Sequence, residues 1–115
     1  MNDVQAPPAI EASEPALSPA SFAADAALFK ILADPIRLAV LAALERGPSP
    51  VTGIRATIGP VPWSKLSYHL GLLKKAGLIA GTRRSNWIDY GITPFGVVIC
   101  GAWRALVALR SEVEG

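Results

Sequence analysis

Five breaks punctuate this chain and limit it to a succession of short elements. Asp34-Pro35, Gly47-Pro48, Gly59-Pro60, Ala76-Gly77 and Thr93-Pro94 each place a turn, cap or helix-ending residue where a regular helix cannot run through. Between the first four breaks there is room only for helices of about two to four turns. A long element can form only after the last break. The chain is therefore expected to pack several short helices against one another.

Each segment has its own pattern. Ser21 is expected to cap a first helix in which Phe22, Ala26, Phe29 and Ala33 share a face, with Leu28 and Leu32 widening the apolar surface. Asp34 caps a second helix with Pro35 in its first turn and Leu38, Leu41, Ala42 and Leu44 as its core face. Arg37 sits on that first turn, where packing or an ion pair is the expected role and a phosphate contact the alternative. Val51, Ile54 and Ile58 point a short third helix inward, over about residues 51–58.

The fourth helix, from about Trp63 to Ala76, sorts into two faces. Leu66, Leu70, Leu73 and Gly77 make one apolar stripe, while Ser64, Tyr68, Gly71 and Lys75 project opposite, with Ser67 on the flank. Small and hydroxyl-bearing residues let a helix approach a partner closely and still offer hydrogen bonds. A major groove admits one α-helix and presents donors and acceptors to such a face. Two short helices joined by a tight turn, the second with a contact face, form a helix-turn-helix.

Beyond Gly77, Leu78–Thr82 and Trp87–Ile92 read as two short strands around Arg83-Arg84-Ser85-Asn86. Ile88, Tyr90 and Ile92 alternate with Trp87, Asp89 and Gly91, as in a half-buried strand. The two arginines at the hairpin tip read either as a solvated turn or as contacts to phosphate or minor groove.

Charge favours the second reading. The formal net charge is only +2, but Asp3, Glu11 and Glu14 all fall in the first 21 residues, which contain no base. Between Pro60 and Tyr90, Lys65, Lys74, Lys75, Arg83 and Arg84 face one acid, Asp89, a distribution that suits a polyanionic partner. Residues 1–20, rich in Pro and Ala without helical or strand period, are expected to be a disordered tail. No apolar run reaches membrane-spanning length. The single cysteine and an N-terminus without a basic, apolar leader suggest a cytoplasmic protein.

The last segment, Phe95–Leu109, is apolar nearly all the way round, and a helix hydrophobic on all sides must be covered on all sides. A chain of 115 residues cannot cover it alone, so a second copy is expected to. The expected interface is Phe22 and Phe29 of the first helix with Val98, Ile99, Cys100, Ala102, Trp103, Leu106 and Leu109 of the last. Gly96, Gly101 and Ala102 would allow close helix approach. Residues 111–115 are expected to be a short tail beyond a domain spanning 21–110.

With these residues in place, the chain resembles the ArsR-type (arsenic-repressor-like) family of winged-helix regulators over about Ala23 to Leu109. Leu32-Ala33-Asp34-Pro35-Ile36-Arg37 is similar to the family's L-x-D-P-x-R opening. Ser64-Lys65-Leu66-Ser67-Tyr68-His69-Leu70 is similar to its S-x-x-S-x-H-L recognition helix, and Arg83 and Tyr90 match positions of its wing. The resemblance implies a mainly α fold of about five helices with a small two-stranded β-hairpin wing. It also implies a homodimer on a partly palindromic double-stranded DNA operator, usually as a repressor. The residues expected to meet DNA are Trp63, Ser64, Lys65, Ser67, Tyr68, His69, Lys75, Arg83, Arg84 and Asn86. Pro62-Trp63 departs from the family's usual Ser-Gln pair, and Asn86 from a common wing arginine.

The family's metal sites depart further. Val51-Thr52-Gly53-Ile54-Arg55-Ala56-Thr57 replaces the stretch that carries paired cysteines in metal sensors, and Phe95–Leu109 offers no His, Asp or Glu. Zinc needs about four N, S or O donors, so no metal and no cofactor is expected. The one histidine, His69, is expected to be packed or phosphate-facing. Cys100 reads as a small buried hydrophobe or as a thiol that pairs across the dimer axis and answers a redox signal; an unknown small molecule is the other candidate signal. One His, one Cys and no clustered carboxylates leave no nucleophile–base constellation, which argues against an enzyme. A protein-contact module is the alternative to a DNA-binding regulator.

Overall fold

The Gly and Pro breaks fall between elements of the folded chain. The computed structural model describes residues 15–114, and within them the elements are α1 (Ala23–Leu32), α2 (Pro35–Leu44), β1 (Ser49–Pro50), α3 (Val51–Ile58), α4 (Trp63–Lys75), β2 (Ile79–Arg84), β3 (Trp87–Ile92) and α5 (Pro94–Glu114). Most of the expected tail, and Gly115, lie outside the described residues. Pro15 to Ser18 form an exposed turn, and Pro19–Phe22 a short 3-10 helix. Ser21 does not cap α1: it lies inside that 3-10 turn, and its hydroxyl donates to the Ser18 carbonyl at 2.7 Å.

Three caps act as the sequence suggests. The Asp34 carboxylate accepts from the amides of Ile36 (2.8 Å) and Arg37 (3.2 Å) at the start of α2. Gly77, at φ 78°, ends α4 with paired bonds from Gly77 N to the Lys74 carbonyl and from Leu78 N to the Leu73 carbonyl, both 3.0 Å. Thr93 Oγ1 accepts from the Gly96 amide at 3.0 Å and donates to the Gly77 carbonyl at 2.6 Å. The start of α5 is thereby tied to the end of α4.

The core collects where α2, α3, α4 and the base of the hairpin meet: Val40, Leu41, Leu44, Ile54, Leu66, Leu70, Leu73, Leu78, Ile79 and Cys100 are buried. Each such leucine contributes roughly 1.5–3 kcal/mol of transfer free energy. Gly96 is buried as well, against its own chain: a Cβ there would collide with the Leu78 carbonyl and lie 2.6 Å from Ile92 Cγ1. The absence of a side chain lets α5 cross the strands closely.

The wing is a three-stranded antiparallel sheet in the order β1-β3-β2. The third strand, β1, was not expected; two residues carry no periodicity, yet Ser49 pairs with Tyr90 and Pro50 with Asp89. Arg83 and Arg84 belong to β2, opposite Ile88 and Trp87, not to the turn. The turn is Ser85-Asn86 alone, with Ser85 at φ 49°.

The first helix shows which of its faces the domain covers, and the last differs from expectation. In α1 the face carrying Phe22, Ala26, Phe29 and Ala33 is turned outward, and Leu28, Ile31 and Leu32 are the half-buried residues. The last helix continues through Glu114, so residues 111–114 are helical and not a tail. At 21 residues it is long and apolar enough to cross a membrane by length and composition, contrary to the expectation that no such stretch exists. One face of it nevertheless belongs to the domain. Cys100 is in the core, and Arg104 is ion-paired with Glu45 of α2.

Candidate nucleic-acid interface

The outer face of α4 is open along its length. Ser64, Lys65, Ser67, Tyr68, Gly71, Lys74 and Lys75 are exposed, Tyr68 to 63%. Leu66, Leu70 and Leu73 fix this face by burying the other. The first turn of α4 has no side-chain cap, since Pro62 occupies the N-cap position. The residues of that turn are thus left to meet whatever approaches.

His69 is the correction to this surface. Expected among the DNA contacts, it is only 4% exposed, because its position lies between Leu66 and Leu70 on the buried stripe. Arg37 Nη1 lies 2.9 Å from His69 Nδ1. A guanidinium only donates, so Nδ1 accepts and the ring is neutral with its proton on Nε2. Burial pushes the ring below its ordinary 6.5; Asp34 pulls the other way, while Arg37 and Lys65 add to the lowering. Burial works against the Asp34 charge, yet the amides of Arg37 and Ile36, with the Arg37 guanidinium and His69 whenever it is protonated, hold its carboxyl below its ordinary 3.8.

Arg37 is likewise buried, and it packs with hydrogen bonds instead of an ion pair or a phosphate. Its Nε donates to the Ile31 carbonyl at 2.5 Å and Nη2 to the Lys30 carbonyl at 3.3 Å. One side chain on α2 therefore closes the C-terminus of α1 and pins α4.

A second arginine, Arg55, orders the turn between α3 and α4. Arg55 Nε donates to the Val61 carbonyl at 2.7 Å, and its guanidinium lies over the Trp63 ring, 4.4 Å from the centroid. The pairing of Arg with Trp eight residues apart across Gly59-Pro60 is its only signal in the sequence.

On the wing, alternation along β2 sends Arg83 and Arg84 to opposite faces. Arg84 Nε is 3.4 Å from Asp89 Oδ2, and the Trp87 indole donates to Asp89 Oδ1 at 3.3 Å. Arg83 has no such partner among the described residues. With Asn86, Trp87 and Ile88 it borders a cleft of about 360 Å³ that reaches Val51 and Thr52 at the start of α3.

The remaining expected positions sort by exposure. Phe22, Phe29, Val98, Ala102, Leu106 and Leu109 are exposed, and Ile99 and Trp103 half-buried. Cys100 is the exception: it is fully buried within its own chain and presents no thiol to a partner. Burial raises its thiol above the ordinary range, Glu45 adds to that, and Arg104 opposes it.

Comparison with known proteins agrees with this geometry. A helix-turn-helix domain family matches residues 32–82. The chain is 38% identical over 67 residues to the HTH-type transcriptional regulator NmtR of Mycobacterium tuberculosis, a match covering 58% of this chain and 55% of that protein. It is 33% identical over 90 residues to the arsenical resistance operon repressor of Escherichia coli, covering 73% of this chain and 76% of the repressor. The chain thus spans about half the length of the first relative and three quarters of the second. Among solved structures, the Mycobacterium tuberculosis protein Rv0081 superposes with a TM-score of 0.73 at 28% identity, covering 90% of this chain and all of that one. The homodimeric winged helix-turn-helix DNA-binding domain of a possible ArsR-family regulator from Mycobacterium bovis does so with 0.64 at 28%, covering 84% and 89%.

Proposed function

We propose that this chain, which belongs to the ArsR family of winged helix-turn-helix transcriptional regulators, is a homodimeric repressor that reads a partly palindromic DNA operator in the cytoplasm and catalyses no reaction. The observation that carries this reading is the exposed Ser64–Lys75 face of α4, hydroxyl-bearing in its first half and basic at its end, beside a wing edge bearing Arg83 and Asn86. Residues 21–110 supply both the DNA-reading and the dimerisation surfaces. The two copies of α4 enter successive major grooves, with half-sites about 34–36 Å apart.

Ser67 and Tyr68 are assigned to base edges, Lys65, Lys75 and Arg83 to phosphates, and Arg84 to a phosphate through the guanidinium edge that Asp89 leaves open. These roles separate in a titration. Arg83→Ala should weaken binding to every duplex and flatten the dependence of log K on log salt by about one contact per half-site. Arg84→Ala should do the same to a smaller degree, because the Asp89 ion pair already offsets part of its charge. Tyr68→Phe or Ser67→Ala should instead relax sequence preference, each contact being worth on the order of 1 kcal/mol. If all four variants bind specific and scrambled duplexes like wild type at every salt concentration, this face does not read DNA and a protein-contact module becomes the better reading.

The signal is not a metal held at the family's usual positions, since α3 carries no His, Cys, Asp or Glu and residues 95–109 of α5 no His, Asp or Glu, and it is not oxidation of Cys100. Zinc, nickel, arsenite and hydrogen peroxide should each leave DNA affinity unchanged, and a thiol reagent should reach Cys100 only on unfolding. Stoichiometric tight metal binding by equilibrium dialysis would overturn the first statement. A peroxide response that Cys100→Ser abolishes would overturn the second. A small molecule remains the candidate signal.

A further inference from the structure

Trp63 adds nothing to the buried core of its own chain. It is the first residue of α4, 48% exposed, and outside the core cluster. Its indole N–H has no hydrogen-bond partner among the described residues. One face of the ring is covered by the Arg55 guanidinium at 4.4 Å, and Arg55 is itself anchored on the Val61 carbonyl at 2.7 Å. The ring is therefore stacked against an anchored guanidinium and left half-exposed, at the N-terminal turn from which a recognition helix meets base edges.

We propose that Trp63 is a specificity-determining residue that reads a thymine in the major groove, with Arg55 as its positioning residue; this rests on the DNA-binding function proposed above. The free edge of an indole is one N–H donor flanked by apolar C–H groups. Thymine is the base whose major-groove edge is an acceptor, O4, flanked by a methyl group. Cytosine sets its amino donor against the indole donor. Guanine offers acceptors and adenine an acceptor with a donor, but neither brings a methyl. Because the guanidinium already stacks on the ring, less side-chain freedom is lost on binding.

The test begins by selecting duplexes from a randomised pool with the wild-type protein, which defines a half-site. Each thymine of that site is then replaced singly by uracil, which removes only the methyl, or its A·T pair is replaced by a G·5-methylcytosine pair, which keeps the pairing and the methyl and sets an amino donor where O4 was. One thymine per half-site should weaken wild-type binding roughly fivefold as uracil and tenfold or more as 5-methylcytosine. Trp63→Ala should bind all three duplexes alike, Trp63→Phe should keep the uracil penalty and lose most of the additional 5-methylcytosine penalty, and Arg55→Ala should shrink both. If uracil is tolerated by wild type at every position, the inference fails while DNA reading stands; that arm needs no variant to fold. If selection recovers no preferred sequence, the DNA-reading function falls, and this inference with it.

Discussion

Leu106→Asp is expected to turn a dimer of 12.1-kDa chains into monomers and to remove nearly all operator binding. Val98, Ala102, Leu106 and Leu109 recur at the spacing of one helical face, and all four are exposed, Leu106 to 63%. Beside them the exposed ring of Phe29 helps line an apolar groove of about 340 Å³, with Leu28, Leu32, Leu38, Trp103 and Val107. Contiguous apolar surface of this kind marks an association site. Across a two-fold axis a single substitution appears twice, so two carboxylates would enter the interface, each at a cost of several kcal/mol when unpaired. A monomer reaches one half-site only, and losing the linked second contact weakens binding on the order of 10²–10⁴-fold. Light scattering and a DNA titration at matched concentrations measure both effects. A wild type that is monomeric at micromolar concentration, or a Leu106→Asp protein that still dimerises, would remove the basis for this interface. The ion pair of Arg104 with Glu45 and the burial of Cys100 dock the other face of α5 on its own domain.

That helix shows what the sequence made legible and what it did not. Its all-round apolarity announced two covered faces, but nothing in the letters says which face belongs to the chain itself. Gly96, Cys100 and Trp103 turn inward, while Val98, Ala102, Leu106 and Leu109 turn outward. Cys100 is for that reason open to two readings from sequence, a buried hydrophobe or an interface thiol, and its burial in the core favours the first. The first helix has the same ambiguity: Ile31 and Leu32 pack against the core while Phe22 and Phe29 stay exposed, and Arg37 ties the carbonyls of Lys30 and Ile31 to α2. Gly and Pro breaks, by contrast, act through local backbone sterics, so they located the boundaries without tertiary information. The register of the wing depended on a turn of two residues, not four, which moved both arginines into a strand. His69 reads from its chemistry as packed or phosphate-facing, and its burial selects the first. Leu66, His69, Leu70 and Leu73 follow the i, i+3, i+4, i+7 pattern, and the periodicity alone puts the ring inside.

Arg37→Ala is expected to cost about 3 kcal/mol, a large part of the stability of a domain this size. The side chain donates to two backbone carbonyls at the end of α1 and to His69 Nδ1. Its removal leaves those acceptors unfilled, and the buried nitrogen cannot turn to water. Arg37→Lys should recover little, because one ammonium cannot span acceptors on two helices. The same contact makes the domain acid-sensitive. The folded-state value of His69 lies below its ordinary 6.5, so its contribution is complete above that pH. It is lost as pH falls through the lower folded value, where the unfolded chain binds the proton more readily. Asp34, also lowered, adds a second loss below its ordinary 3.8. Protonation at Nδ1 would also set an N–H against the guanidinium and push α4 off its seat. Urea unfolding between pH 7 and 5 should therefore show a falling midpoint in wild type and a flatter one in His69→Gln, whose amide oxygen can still accept from Arg37 without titrating. Equal pH slopes in the two proteins would mean that some other group carries the acid sensitivity and that the Arg37–His69 contact does not govern how α4 is held.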